Sequence, residues 1–329
     1  MSKIIIRVNF IIIFIPLLIL LISSNVKADR IVISNEGSDD ITIIDLNTYE
    51  ILNTIESGNR PRDMHYIAGT NNLLVAASED DTINVIDMKT LKIIGNLETG
   101  DDPEIFDISP DGNVAVVSNE DDNEATVIDI QTGKIIRVIE DVGIEPEGVN
   151  FTPDGKYVFI TSEGTNTIII IDPWKGEIVE EVLVGNRPRR GAFNKNGEEY
   201  WVTNELGGTV SVIDTNTFSI KHTINFEKKG IRSSEITPVD FAMSNNGNLA
   251  YITLGRSKHI AVVNTNNYEV IDYILAGSRV WGAAITADDK TLIVTNGQSD
   301  DISIIDTDKR ASIKSIAVGR TPHTVRIIE

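Results

Sequence analysis

The chain has 329 residues with a formal net charge of −20, and so acidic a surface repels nucleic acid and anionic lipid headgroups. It contains no cysteine, which excludes disulfides, a lipoprotein acyl-cysteine, haem attached through Cys-x-x-Cys-His and iron–sulfur clusters. About 300 residues are enough to bury a core that holds without such staples.

Residues 1–28 read as an export segment. Lys3 and Arg7 precede an apolar run from Val8 to Ile22, and Val26-Lys27-Ala28 places small residues at the −3 and −1 positions of a cleavage site. This pattern predicts a signal peptide cleaved after Ala28. An uncleaved anchor is the alternative, since Ile4 to Ile22 approaches spanning length; Arg7, Asn9 and Pro16 favour cleavage. Loss of Lys3, Arg7 and Lys27 takes the charge from −20 to −23.

From residue 29 to 329 the sequence repeats. An apolar strand closed by Asp recurs at Asp45, Asp87, Asp129, Asp172, Asp214 and Asp306, with Asn264 as the one variant, at spacings of 42, 42, 43, 42, 50 and 42. A period near forty with several short strands per unit predicts an all-β fold, a seven-bladed β-propeller of four-stranded antiparallel blades. The fifth unit shows the pattern: strands over 190–193, 200–204, 209–214 and 219–226, joined by turns such as Asn194-Lys195-Asn196-Gly197. Alternating polar and apolar residues suit half-buried strands, and no stretch sustains helical periodicity. Each closing Asp precedes a turn whose N–H groups its carboxylate can accept, so the repeated Asp is construction rather than chemistry. Seven copies on seven blades cannot converge on one site.

The segment 29–329 enters on Ile31–Asn35, a second strand, and ends on His323–Ile328, a first strand. The C-terminal strand is therefore expected to complete the N-terminal blade and remove the open edge.

Tyr200-Trp201-Val202-Thr203-Asn204, Val210-Ser211-Val212-Ile213-Asp214 and Val184-Gly185-Asn186-Arg187-Pro188-Arg189 resemble the YVTN-repeat β-propellers, most of all those called PQQ-dependent catabolism associated. The resemblance covers the whole of residues 29–329. It implies a periplasmic or secreted accessory role in quinoprotein alcohol oxidation, with a component of that dehydrogenase system as partner. The chain lacks the vicinal cysteine pair and the long Trp-docked blades of the quinoproteins themselves, and has half their length.

Departures from the repeat mark the candidate site. In a meander, the turns after second strands share a face with the crossings between blades. Glu follows the second strand at 36, 79, 120, 163 and 205, whereas Gly255 and Gly297 stand there in the last two blades. The crossings supply Arg60 and Arg62, Asp102 and Glu104, Glu145 and Glu147, Arg187, Arg189 and Arg190, Arg279 and Trp281, and Arg320 and His323. Two basic clusters are thus expected on opposite sides of a funnel, separated by acidic crossings. The arginines would take anionic groups, with Trp281 as an apolar anchor. The competing expectation is that Arg and Glu pair as surface bridges of about 0–1 kcal/mol each. On the funnel reading, Arg62→Ala and Arg189→Ala leave melting nearly unchanged. The 50-residue spacing adds a long crossing over 227–238 with Arg232 on it, a further candidate for recognition.

The function expected is a non-enzymatic, monomeric propeller binding a partner protein or a small ligand on this face, without metal or resident cofactor. Acidic turns at 120–124 and 300–301 lack calcium-loop spacing, and His65, His222, His259 and His323 show no metal-ligand spacing. Two alternatives stay open. One is a lactonase-like hydrolase at the channel mouth using Glu147, Arg189 and His323. The other is noncovalent PQQ binding by the arginines and Trp281.

Overall fold

A computed structural model describes residues 29–328, and the expected export segment 1–28 lies outside the described residues. Among these residues the chain forms twenty-eight short strands, numbered in chain order, in seven four-stranded sheets. The fifth blade runs β16 (Pro188–Phe193), β17 (Glu199–Asn204), β18 (Thr209–Asp214) and β19 (Ser219–Asn225) from the axis outward, all antiparallel. The seven-bladed propeller is therefore the architecture.

The ring closes between its ends. In the first blade β28 (Pro322–Ile328) pairs with β1 (Arg30–Asn35), which continues to β2 (Asp40–Asp45) and β3 (Ile51–Glu56). Closure leaves no unpaired inner edge.

Strand alternation sends one set of side chains to each neighbouring blade, so the core is split into seven interfaces. Trp201, Val210 and Val212 of the fifth blade pack on Phe241, Ile252 and Ala261 of the sixth; Ile31, Ile33 and Ile44 of the first pack on Ile293, Ile302 and Ile304 of the seventh. With apolar contact placed between blades, the inner strands leave polar side chains facing the axis.

The closing Asp residues behave as the turn chemistry predicts. Asp45 Oδ1 accepts from Asn47 and Thr48 N–H at 2.9 and 2.8 Å, and Asp214 Oδ1 from Asn216 and Thr217, both at 2.9 Å. These bonds hold both carboxyls below the usual range.

Candidate functional site

The repeat motif itself builds the site. In six of the seven blades a Thr or Ser at or next to the end of the second strand reaches into the next blade and donates to a backbone carbonyl there, whereas the second blade has Ala76 at this position and leaves the Glu104 carbonyl without such a latch. Ser34 Oγ donates to Arg62 O (2.7 Å), Ser118 to Glu147 O (2.6 Å), Thr161 to Arg189 O (2.5 Å), Thr253 to Trp281 O (2.7 Å) and Thr295 to His323 O (2.8 Å). Each carbonyl belongs to a residue singled out from the sequence, and Thr203 holds Val239 in the same way. Arg62, Glu104, Glu147, Arg189, Val239, Trp281 and His323 thus form one layer around the axis.

A second layer lies two residues earlier, at the mouth. Arg60, Asp102, Glu145, Arg187, Arg279 and Thr321 all have φ between +47° and +57°, a left-handed conformation that costs a non-glycine residue about 1 kcal/mol. An Asp or Asn in the turn beside it pins the conformation: Asp39 accepts from Arg60 N–H at 2.9 Å, Asp81 from Asp102 at 3.0 Å, Asn166 from Arg187 at 2.8 Å and Asp300 from Thr321 at 2.9 Å. The conserved geometry also needs Gly185, where an added Cβ would fall 2.5 Å from Asn204. Asn204 meanwhile accepts from Gly185 N–H and donates to Thr209 and Ser211.

The two layers enclose a cavity of about 420 Å³ at one end of the channel, lined by Arg60, Arg62, Arg187, Arg189, Arg279, Trp281 and His323 with Glu36, Glu120, Gln298 and Thr321. The sequence reasoning found most of this wall. It missed Gln298 and Thr321, and although it named Arg190 among the crossings it did not place it as the floor. There Arg190 spans the channel, its Nη1 3.1 Å from Asp240 and its Nη2 donating to Thr324 Oγ1 (3.2 Å) and His323 Nδ1 (3.3 Å). Arg190 also lines a smaller cavity of about 180 Å³ on its other side, with Asp63, His65 and Arg326. The run Arg187-Pro188-Arg189-Arg190 carried the one available signal, a third arginine stepping deeper along the strand.

Arg60 and Arg62 enter on the second blade and Arg187 and Arg189 on the fifth, with the acidic crossings of the third and fourth blades between them as expected, but arginines and carboxylates also reach one another. Arg60 meets Glu36 (3.3 Å), Asp102 (3.1 Å) and Glu104 (3.2 Å); Arg62 meets Glu36 (3.2 Å), Glu104 and Glu147 (3.7 Å); Arg189 meets Glu147 (2.9 Å) and Glu163; Arg187 meets Glu163 (2.5 Å) and Glu205 (3.7 Å). Nor are these surface bridges. Arg62 and Arg189 are each 5 % exposed, and Glu104, Glu147 and Glu163 are buried as well. The expected pairing is therefore present, with one correction: around Arg62 and Arg189 it is a buried network, not a set of surface bridges, and there each partner depends on the other.

Arg279 differs. It meets one carboxylate, Glu205, at 3.4 Å, and burial together with Arg256, Arg189 and Arg187 lowers its guanidinium below the usual range despite Glu205. Trp281 is more than an apolar anchor: the Arg279 and Arg189 guanidiniums lie 4.4 and 5.0 Å from its ring centroid, and His323 packs at 5.6 Å.

Four predicted residues are absent from the cavity wall, among them Glu104 and Glu147, which lie buried beside its arginines. Arg320 is exposed and absent from the cavity wall. Arg232 is also exposed, and the long crossing is turned outward: Ile236 is buried in the fifth–sixth interface with Ile231 packed against it, and Lys228 lies over Tyr273 on an outer strand. Its extra length packs against blades and does not overhang the cavity.

Electrostatics divide the buried acids. Burial pushes Glu104 well above the usual carboxyl range, with Glu147 and Glu120 adding to the rise against the pull of Arg62 and Arg60. Glu147 is pushed up by burial but ends below it, because Arg189 and Arg62 flank it. Asp102, Glu104 and Glu120 bring oxygens within 4.8 Å of one another, and Arg60 and Arg62 neutralise the first two. Burial, then the Glu147 charge, raises Glu163 to about 7 against Arg189 and Arg187.

A pH test follows from Glu163. Below pH 4.5 its carboxyl is neutral whether the chain is folded or unfolded; between 4.5 and about 7 the unfolded chain ionises freely while the fold resists. The stability this group contributes at low pH is thus lost as pH rises. Wild type should lose about 3 kcal/mol relative to Glu163→Gln across that window, read from urea melts at several pH values. Parallel curves for the two proteins would refute it.

Comparison with known proteins agrees with the fold. The YNCE-like beta-propeller family matches residues 26–155 and the cytochrome D1 heme domain family residues 111–239. No curated protein matches the sequence. Among solved structures, hydrazine synthase of Kuenenia stuttgartiensis is 20% identical with a TM-score of 0.77, over 84% of this chain and 92% of that one. A putative 6-phosphogluconolactonase from Bacteroides fragilis is 22% identical with a TM-score of 0.77, over 93% and 99%. Dihydro-heme d1 dehydrogenase NirN in complex with DHE is 13% identical with a TM-score of 0.68, over 90% and 74%. Likeness at these identities is one of architecture, and what the chain shares with all of them is the β-propeller.

Proposed function

We propose that the protein is an exported, non-enzymatic, monomeric propeller that holds a small carboxylate-bearing ligand in the cavity at its crossing face. The observation that carries this reading is Arg279. Every other arginine of the cavity wall shares two or three carboxylates, whereas Arg279 has one, at 3.4 Å, and stands beside Trp281 at the mouth. A ligand carboxylate supplies the charge it lacks. The resemblance to PQQ-associated propellers adds a setting, periplasmic service to a quinoprotein dehydrogenase system.

The hydrolase alternative fits the side chains less well. Glu147 is held between Arg189 and Arg62. His323 Nδ1 faces the donor Arg190 Nη2 at 3.3 Å, so the ring proton sits on Nε2 and that nitrogen has no lone pair to act as a base toward the cavity.

Calorimetric titration with small carboxylates tests the reading. Arg279→Ala should weaken binding about tenfold while changing stability by less than about 1 kcal/mol. Lactones should show no turnover. Lactone hydrolysis by wild type that disappears in His323→Ala would replace the binding reading with the hydrolase.

A further inference from the structure

The polar atoms left without partners around the cavity are informative in kind. Trp281 Nε1 is buried and completes no hydrogen bond; His323 Nε2 is buried with only the Arg62 carbonyl as a weak backbone partner, and both residues line the cavity with ring centroids 5.6 Å apart. An indole nitrogen only donates. The imidazole's role is fixed by its other side, where Arg190 Nη2, a donor that cannot accept, faces Nδ1 at 3.3 Å. Nδ1 must therefore be the acceptor and Nε2 carries the hydrogen. Asp240 holds Arg190 through Nη1 at 3.1 Å, so the tautomer is set by a chain running Asp240, Arg190, His323. Burial and the guanidiniums of Arg62, Arg190 and Arg189 keep the ring neutral, well below the usual imidazole range. The neighbouring Arg62 carbonyl already accepts from Ser34 Oγ at 2.7 Å.

The other two tryptophans are satisfied. Trp174 Nε1 donates to Gly155 O at 2.9 Å and Trp201 Nε1 to Glu199 Oε2 at 3.1 Å. An unpaired buried donor costs about 1–3 kcal/mol, and the Trp281 N–H, together with the unpaired Arg62 and Arg189 Nε atoms on the same wall, calls for an acceptor that comes from outside the chain.

Resting on the anion-binding reading above, we propose that Trp281 Nε1–H and His323 Nε2–H together form a neutral oxyanion subsite that receives the carboxylate of a small hydroxylated monocarboxylic acid, with Arg190 and Asp240 as positioning residues. Neutral donors matter because four of the five guanidiniums on the wall are already shared between two or three carboxyl groups. A ligand of high negative charge would find few cations free to meet it, whereas one carboxylate can be held by dipoles and by Arg279. The rest of the wall offers Glu36, Glu120, Gln298 and Thr321, acceptors and donors suited to hydroxyl groups. A cavity of about 420 Å³ accommodates a molecule of three to six carbons, within the usual range of small-molecule sites.

The test uses 15N-labelled protein titrated with sodium gluconate, glycerate and lactate, with glucose and inorganic phosphate as controls. The indole N–H signal of Trp281, assigned through Trp281→Phe, should shift on binding of a hydroxy acid while those of Trp174 and Trp201 stay in place. Dissociation constants should rise about tenfold in Trp281→Phe and in His323→Ala, with His323→Gln recovering part through its amide N–H. The imidazole 15N shifts of His323 should report the Nε2–H tautomer in wild type and a mixed population in Arg190→Met, a change that a purely structural role for Arg190 does not require. Hydroxy-acid binding with an unmoved Trp281 signal and unchanged affinity in both variants overturns the subsite while leaving anion binding intact. No binding of any of the three acids to wild type overturns both.

Discussion

Removal of residues 321–329 is expected to abolish the folded state. The lost strand supplies the innermost position of the first blade, pairing with β1 from Ile328 opposite Arg30 to Pro322 opposite Asn35. It also supplies Val325 and Ile328 to the interfaces on either side, and His323 and Thr324 to the channel floor. Without it, β1 becomes an edge facing the axis, and two of the seven interfaces lose part of their core. Domains of this size are stable by only about 5–15 kcal/mol, and burying a single Val or Ile is worth about 1.5–3 kcal/mol. The measurement is solubility and cooperative melting of the truncated chain, with recovery sought by adding a 318–329 peptide. A soluble truncation with a cooperative melt would overturn closure as the source of stability.

Arg189→Ala should cost about 3–5 kcal/mol. Its guanidinium lies between Glu147 and Glu163, both buried, and its own carbonyl is latched by Thr161. Truncation strands the two acids without their shared cation. Glu163, already raised to about 7, can take a proton and soften the loss, whereas Glu147 loses the guanidinium that does most to keep it ionised and retains only Arg62, at 3.7 Å. The double variant Arg189→Met with Glu147→Gln should therefore recover a large part of the stability, because replacing both members of a buried pair spares the survivor its isolation. Chemical denaturation of the two single variants and the double variant gives the coupling energy directly. A single-variant loss below about 1 kcal/mol would return the network to the class of surface pairs.

The blades and their closure were legible because they depend on local chemistry. Strand alternation, Asn-x-x-Gly turns and closing Asp residues act within a few positions of one another, and the repeat states each of them several times. The crossing residues were legible as a set because they break the repeat. Their depth was not. Whether Arg189 points at solvent or lies between two carboxylates depends on how far along the first strand it sits relative to the next blade, which the Thr161 latch decides. The same Thr looks like ordinary strand composition in the sequence. The long crossing misled in the opposite sense: Lys228, Lys229 and Arg232 suggest an exposed basic arm, but Ile231 and Ile236 anchor it between blades. The floor required a contact between residues 133 apart in sequence, Arg190 and His323, and no local pattern announces that.

Closure within the first blade also settles orientation. β1 starts at Arg30 and runs toward the mouth at Asn35, while β28 starts at the mouth with Pro322 and ends at Ile328 opposite Arg30. Both strands therefore meet the outside at the far end of the ring from the cavity. The described chain thus enters the ring at residue 29 and leaves it at residue 328, both on the side away from the cavity. Neither the point of entry nor the point of exit crowds the mouth.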